Sequence, residues 1–271
     1  MPKKGAYVCR ATQTTVRKDH LVAGEPVALD IEFQQYKRDS AKKHAHRIGR
    51  LAIVNTKGEL VLDVYAAYPR EDGVRKVYPP KRFLVESEDL LFENGAVAAH
   101  KVERWVKDIV KDRTIILHGG KHDLTAFRIE KDVFASSTII DTQKLYASHQ
   151  PADGTPGLRT LTASLLKQMI QDDVHSPVED AWATMQLWLL RNAYDRDAQV
   201  GESTGLPECP SRFTVTSNVR VSHPVSTLSR GLSEPCLPDV SSDMEFPTLP
   251  SGFICGAHHK STGISSTSLS R

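Results

Sequence analysis

The sequence of 271 residues lacks long apolar runs. No stretch approaches the roughly 18 apolar residues of a membrane-spanning helix. The first 24 residues also contain no apolar segment of the length that a signal peptide needs. We therefore expect a soluble protein that is not secreted and has no contact with a membrane, located inside the cell in the nucleus or the cytoplasm.

Cysteine is also scarce. The four cysteines are scattered without a Cys-x-x-Cys pair, a pattern typical of unpaired thiols in a reducing compartment: Cys9, Cys209, Cys236 and Cys255. Cys255 lies near His258 and His259, but three such ligands in a serine-rich segment are more often accidental than a metal site. We expect neither a disulfide framework nor a structural zinc site.

The chain has little excess of either charge. It carries 35 Lys and Arg against 33 Asp and Glu, a formal net charge of +2. This balance neither requires nor excludes a polyanionic partner. Any electrostatic argument for nucleic-acid binding must therefore rest on local clusters.

A change in composition marks the end of the folded part of the chain. Between 201 and 271, 35 of 71 residues are Ser, Thr, Gly or Pro, and such a segment cannot build a hydrophobic core. We therefore predict three parts: an N-terminal extension at 1–24, one folded domain at 25–198, and a flexible tail at 199–271.

Hydrophobic periodicity predicts alternating strands and helices in the folded part. The predicted elements are strands at 26–33, 47–54 and 60–67, a helix at 96–110, a strand at 114–117, a helix start at 121, a strand at 137–141, and helices at 158–170 and from 177. The order βββαβαβαα is typical of an α/β fold with a mixed central sheet flanked by helices.

Two carboxylates share one face of the first predicted strand. In "PVALDIEF" the alternation of side chains places Asp30 and Glu32 together on one side of the sheet. If this apolar strand is central, the two anions need a cation between them, and hard oxygen ligands favour Mg²⁺ or Mn²⁺ over zinc. The alternative is an edge strand with a solvated polar face, which the residues alone make equally acceptable.

A third carboxylate follows a short buried strand. Asp123 stands in "HGGKHDLTAF", at the beginning of a predicted helix. Acidic residues favour a first helical turn because of the helix dipole, so this position also has a purely structural interpretation. Functional sites in α/β sheets nevertheless collect at the carboxyl ends of strands, where Asp123 lies.

The stretch "HSPVEDAWATM" contains a well-specified helix start. Ser176, Pro177 and Glu179 occupy the N-cap, N1 and N3 positions of a capping box. His175 and Asp180 then stand at the two positions where a hydrophobic staple would place apolar residues. This titratable pair indicates a functional site. An exposed aspartate that only stabilises the helix dipole is the alternative.

A basic segment lies between the first two predicted strands. "QQYKRDSAKKHAHRIGR" contains Lys42, Lys43 and Arg50 among its cations, next to the carboxylates. We favour contacts with substrate phosphates, while a solvated hairpin is the alternative. Asp141 ends the strand at 137–141, and we expect it to cap the next helix and to lie outside the site.

Three segments together resemble a known family. "LDIEF", "LHGGKHDLTAF" and "HSPVEDAWATM" resemble the three motifs of the DEDDh 3′–5′ exonucleases, which have a ribonuclease H-like fold. The third motif is most similar to that of the group of the interferon-stimulated exonuclease and RNA exonuclease 4. The tyrosine subclass has Tyr four residues before the last aspartate, where this chain has Ser176, so the resemblance is to the histidine subclass.

The resemblance implies an activity and a role for each motif residue. Asp30, Glu32, Asp123 and Asp180 match the ligands of two Mg²⁺ or Mn²⁺ ions, and His175 matches the general base. The implied enzyme is a 3′–5′ exonuclease that binds single-stranded RNA or DNA at its 3′ end, with RNA favoured, and releases nucleoside 5′-monophosphates.

The resemblance also bears on residues around the motifs. Arg50 aligns with the family, whereas Phe33 departs from the usual family context and is expected to stack differently on the terminal base. Gly119 and Gly120 replace bulkier residues, which we expect to loosen the loop that leads to Asp123. Two other functions stay open: a catalytically inactive nucleic-acid-binding or scaffolding module on the same fold, and a protein whose tail acts by binding partners.

Overall fold

The computed structural model describes residues 15–149, 155–172 and 174–203. The predicted tail lies almost entirely outside these residues, as does most of the predicted N-terminal extension, so the three domain boundaries stay predictions. The chain divides into two units after Ala193, and the fold below belongs to the first; of the second, the described part is Tyr194–Ser203, which is helical. No helix within the described ranges is long and apolar enough to cross a membrane.

Seven strands and five α-helices make up the described part. The strands are β1 (Val27–Arg38), β2 (Ala45–Asn55), β3 (Leu60–Ala67), β4 (Val74–Val77), β5 (Val97–Ala98), β6 (Thr114–Leu117) and β7 (Thr138–Asp141). The α-helices are α1 (Ala99–Val110), α2 (Lys121–Leu124), α3 (Thr142–Leu145), α4 (Leu158–Leu161) and α5 (Pro177–Ser203). Short 3₁₀ turns lie at Lys18–His20, Lys81–Phe83, Glu88–Leu90, Phe92–Asn94 and Ala147–His149, and a π turn at Thr162–Leu166.

The strands form one mixed sheet with β1 in its interior. Their order is β5-β3-β2-β1-β6-β7, and β4 pairs with the far end of β1. β1, β2 and β3 are antiparallel, whereas β6 and β7 run parallel to β1. The predicted mixed sheet is confirmed. Of the two positions left open for the first strand, the structure has the interior one, and the edge-strand alternative is wrong.

The two faces of β1 pack against different layers. Val27, Leu29 and Ile31 belong to the main core, which also includes the apolar side of α1. Ala28 faces the opposite side and packs with Ala181 and Met185 of α5. Asp30 and Glu32 share the alternation of Ala28, so they lie on the side of the sheet that α5 covers.

The structure differs from the sequence-based elements in three places. β1 and β2 extend into a long hairpin, and β4 joins β1 along Gln35–Arg38. The helix expected from Ala96 begins at Ala99, because Val97 and Ala98 pair with β3 as strand β5. The helix predicted at 158–170 ends after one α turn and one π turn, where the chain turns at Lys167 with a positive φ of 56°.

Candidate active site

The carboxylates of β1 lie where the strand is open on one side. β6 pairs with β1 at Val27 and Ala28, and β4 pairs with it from Gln35 onward. The stretch between these two pairings contains Asp30 and Glu32. Because β6 runs parallel to β1 and ends beside it, the loop after β6 reaches the same place.

That loop after β6 is held firmly. Asp141 caps α3 by accepting the N–H of Gln143, as predicted, and it also accepts the N–H of Gly119 at 2.9 Å. Gly119 has a positive φ of 64°, and a Cβ on Gly120 would lie 2.6 Å from the Leu117 side chain. The expectation that the two glycines loosen the loop is therefore wrong, since they permit a tight turn and close packing.

Asp123 emerges from this loop on α2. Its side chain is buried, with 7% of the residue exposed. The helix is one turn long, so a dipole interaction at its start is weak, and burial of an acid there has a cost that the dipole alone does not offset. The position is therefore better explained by the acidic cluster than by helix capping.

The start of α5 places Asp180 in the acidic cluster, with His175 beside it. Asp180 is 3% exposed, so the alternative of an exposed aspartate is wrong. Its Oδ2 accepts a hydrogen bond from Nε2 of Gln171 at 2.9 Å and lies 3.9 Å from Nδ1 of His175. Gln171, which has a positive φ of 56°, was not predicted as a site residue. No periodicity could have indicated it, because it lies in the irregular stretch between α4 and α5.

The helix start itself departs from a capping box in one respect. α5 begins at Pro177 as predicted, and the N–H of Asp180 donates to the carbonyl of Ser176. The Glu179 carboxylate accepts the N–H of Gln171 at 3.1 Å, where a capping box would have it turn back to Ser176. Glu179 thus ties the preceding loop, and with it Gln171, to the helix.

Burial and nearby carboxylates raise the pKa of all four motif carboxylates. Burial comes first, followed by the charges of the neighbouring carboxylates, and together they raise the pKa of Asp30 well above its ordinary value and that of Glu32 to about 9. Burial raises the pKa of Asp123 and of Asp180 to about 7. Asp123 and Asp180 therefore lie close enough to the two carboxylates of β1 to raise their pKa.

His175 stands beside this cluster in a cationic environment. Burial, together with the positive charges of Arg82 and Arg159, lowers the pKa of its imidazole. The neutral form is therefore favoured at physiological pH, and a neutral imidazole offers a lone pair that can accept a proton.

The acidic cluster fits a divalent cation. Glu32, His175 and Asp180 each offer a ligand atom, and these atoms all lie within 4.8 Å of one another. Oδ1 of Asp180 is buried and has no hydrogen-bond partner among the residues that the structure describes. A buried, unpartnered carboxylate oxygen among like charges is costly unless a cation binds there, and hard oxygen donors suit Mg²⁺ or Mn²⁺.

The predicted substrate residues lie in different environments. Lys42 and Lys43 are exposed in the turn between β1 and β2. Phe33 is half-buried, and its ring stacks on His46 with 5.1 Å between centroids. Arg50 is fully buried and donates from Nε and Nη2 to the two oxygens of Asp63, each at 2.8 Å. The expectation of a phosphate contact for Arg50 is therefore corrected: its guanidinium braces β2 against β3.

Comparison with known proteins finds relatives in sequence but no matching family model. No family model matches the chain. RNA exonuclease 4 of Candida glabrata is 32% identical over 182 residues, which cover 65% of this chain and 64% of that protein. RNA exonuclease 4 of Saccharomyces cerevisiae is 32% identical over 171 residues, covering 61% of this chain and 54% of that protein. The chain thus spans between half and two thirds of these relatives.

Solved structures show the same fold. The Neurospora crassa Pan2 catalytic unit, with its protease and nuclease domain, gives a TM-score of 0.52 at 19% identity, over 71% of this chain and 31% of that one. The Saccharomyces cerevisiae Pan2 pseudoubiquitin hydrolase–RNA exonuclease module in complex with A7 RNA gives 0.53 at 18%, over 73% and 33%. The predicted fold class is confirmed. The chain is similar in sequence to the RNA exonuclease 4 proteins and similar in fold to the Pan2 structures.

Proposed function

We propose that the protein is a metal-dependent 3′–5′ exonuclease of single-stranded nucleic acid that favours RNA and releases nucleoside 5′-monophosphates. The observation that carries this proposal is the convergence of Asp30, Glu32, Asp123 and Asp180, from three separate segments, on one acidic cluster with His175 beside it. A solvated surface would not bury so many carboxylates near one another at this cost.

The four carboxylates are proposed to hold two Mg²⁺ or Mn²⁺ ions. When bound, such ions clamp the scissile phosphate, acidify the attacking water and stabilise the leaving oxygen. The protein contributes a rigid frame for this: Asp30 and Glu32 are fixed by the interior strand β1, and Asp180 by its hydrogen bond to Gln171.

His175 is proposed to act as the general base. Its lowered pKa leaves the imidazole able to take a proton from the attacking water, a role typically worth about 10²–10⁴ in rate. The side chain is 27% exposed, so solvent reaches it while its position beside Asp180 is kept.

The substrate is proposed to be single-stranded RNA, or DNA, bound at its 3′ end. Phe33 would stack on a base, while Lys42 and Lys43 would contact phosphates. RNA is favoured because the sequence relatives are named as RNA exonucleases. The proposal includes an intracellular location, in the nucleus or the cytoplasm, where such substrates occur.

A degradation assay tests this proposal. Matched single-stranded RNA and DNA oligonucleotides with a 5′ label are incubated with the purified protein in Mg²⁺, Mn²⁺ or EDTA. We expect stepwise shortening with either metal, faster on RNA, and none in EDTA. Asp30→Asn should abolish it, and Asp108→Asn, an exposed site on α1, should not.

The same assay separates the proposal from an inactive binding module. Such a module would bind the oligonucleotides without shortening them, and Asp30→Asn would leave its binding unchanged. Intact strands under both metals would refute the proposed activity.

A further inference from the structure

His175 lies just outside α5, so the helix alone does not fix its ring. A catalytic imidazole on a loop needs contacts that hold its orientation, because a displacement of about 1 Å costs roughly 10²-fold in rate. The backbone N–H of His175 donates to the carbonyl of Arg82 at 2.7 Å. This bond joins the loop before α5 to the 3₁₀ turn Lys81–Phe83.

The next residue of this turn packs directly on the imidazole. The ring of Phe83 lies 4.9 Å from the ring of His175, centroid to centroid, with an angle of 48° between their planes. The guanidinium of Arg82 lies 4.8 Å from the centroid of the same Phe83 ring. An aromatic contact at this distance stabilises a pair by about 0.5–1.5 kcal/mol beyond its burial, enough to favour one imidazole orientation.

The turn is itself fixed to the core. Leu84 ends it in the left-handed region at φ 50°, and its side chain is buried. The carbonyl of Leu84 accepts the hydroxyl of Tyr65, on β3, at 2.9 Å. Tyr65 and Val85 belong to one buried cluster. Phe83 therefore stands on a support that the sheet holds in place.

We propose that Phe83 is a positioning residue that holds the His175 imidazole in its catalytic orientation. The inference rests on the proposed function of His175. It does not require Phe83 to touch the substrate, the metal ions or the reacting atoms. The ring covers one side of the imidazole, and the hydrogen bond to Arg82 fixes the backbone from which the imidazole projects.

The kinetic test compares Phe83→Ala with Phe83→Tyr and with a matched control. Phe83→Ala should lower kcat on single-stranded RNA by roughly 10- to 100-fold, because a misplaced His175 imidazole slows catalysis by about this factor. KM should stay within about twofold of the wild-type value. Phe83→Tyr keeps the ring and should retain activity within about twofold. Phe92→Ala removes a 64% exposed phenylalanine from another 3₁₀ turn and should change nothing.

A double-mutant cycle isolates the contact with the imidazole. In a His175→Ala background, Phe83→Ala should cause no further loss, because the group it positions is gone. If the alanine variant does not fold, Phe83→Leu keeps the apolar bulk without the ring and should show the same loss of kcat, smaller in size. A rise in KM with kcat unchanged would overturn the inference, since it would mean that the ring contacts the substrate.

A structural readout tests the inference without any activity. The imidazole resonance of His175 in a proton–carbon NMR spectrum should carry a ring-current shift that Phe83→Ala removes and Phe83→Tyr preserves. If the wild-type protein cleaves no RNA, the proposed function fails. This measurement still shows whether Phe83 packs on the His175 imidazole. A His175 resonance that does not move in Phe83→Ala would overturn the inference in either case.

Discussion

Replacing Asp180 by Asn should stabilise the metal-free protein although it removes a proposed metal ligand. Burial raises the pKa of Asp180 from its ordinary 3.8 to about 7. Above pH 7 the folded protein therefore carries a buried charge at Oδ1 that no described hydrogen bond satisfies. Asn is nearly isosteric, keeps an acceptor for Gln171 and carries no charge.

The magnitude follows from the shift. The pKa of Asp180 is about 7 in the folded protein and 3.8 ordinarily. A difference of one pKa unit corresponds to about 1.4 kcal/mol, so ionised Asp180 destabilises the fold by about 4 kcal/mol at pH 8. For a domain of about 150–250 residues, 1 kcal/mol moves Tm by about 2–4 °C. Asp180→Asn should therefore raise Tm by on the order of 10 °C in EDTA at pH 8.

The pH dependence has a definite sign. A raised carboxyl pKa means that the folded state keeps a proton which the unfolded state releases, so stability falls as pH rises between the two pKa values. The gain from Asp180→Asn should be largest at pH 8 and small near pH 4, close to the pKa of the unfolded chain. Thermal unfolding followed by circular dichroism in EDTA, over pH 4–8, measures this.

Adding Mg²⁺ should reverse the order of stability of the wild type and Asp180→Asn. The wild-type protein should gain stability with Mg²⁺ because a ligand that binds only the folded state stabilises it, whereas Asp180→Asn should gain much less. Asp108→Asn, at an exposed site on α1, should match the wild type throughout. An Asp180→Asn protein that is no more stable than the wild type in EDTA at pH 8 would refute the explanation of the acidic cluster as a cation site.

Other substitutions test the roles assigned to individual side chains. His175→Ala should lower kcat by about 10²–10⁴ while Tm stays nearly unchanged, as a rate assay and a melting curve show. Lys42→Ala with Lys43→Ala should raise KM for RNA and make binding less sensitive to salt, with a slope smaller by roughly 0.7 for each phosphate that the protein no longer neutralises. Arg50→Ala should destabilise the fold by about 3–5 kcal/mol in denaturant titrations, because it leaves buried Asp63 without its cation.

The positions of Asp30, Glu32, His175 and Asp180 were predictable because each lies in a strongly patterned segment. Alternation placed Asp30 and Glu32 on one face of a strand whose other face is apolar, and β1 has that arrangement. The helix start at Pro177 followed from the proline and the N-cap residue before it. Strand alternation repeats every two residues, and a helix start is specified within one helical turn. Both patterns are local, so they can be recognised in the sequence alone.

Arg50 shows what such rules miss. A cation in a basic segment suggested a phosphate contact, yet Arg50 lies opposite Glu32 on β1 and opposite Tyr65 on β3, in the middle of the sheet. Its partner Asp63 lies on β3, and only the pairing of β2 with β3 brings the two side chains together. Sequence spacing does not encode a partner that the register of the sheet determines.

The residues that support the site could not be predicted from the sequence either. Gln171 and Phe83 contact Asp180 and His175 from irregular segments with positive-φ residues, Gln171 itself and Leu84. These segments have no period, and their positions follow from the packing around them. The loop with Gly119 and Gly120 was mispredicted for the same reason, because the positive φ of Gly119 and the packing of Gly120 against Leu117 follow from the folded loop.

The most direct test of the central claim identifies the product released from a 3′-end-labelled RNA. A single-stranded RNA with a labelled terminal nucleotide is incubated with the wild-type protein and Mg²⁺ or Mn²⁺, beside His175→Ala and Asp30→Asn. We predict that the wild type releases the label first as a nucleoside 5′-monophosphate, that Asp30→Asn releases none, and that His175→Ala releases it about 10²- to 10⁴-fold more slowly. Label released in longer fragments, a nucleoside 3′-monophosphate, or undiminished release by either variant would contradict the proposed activity.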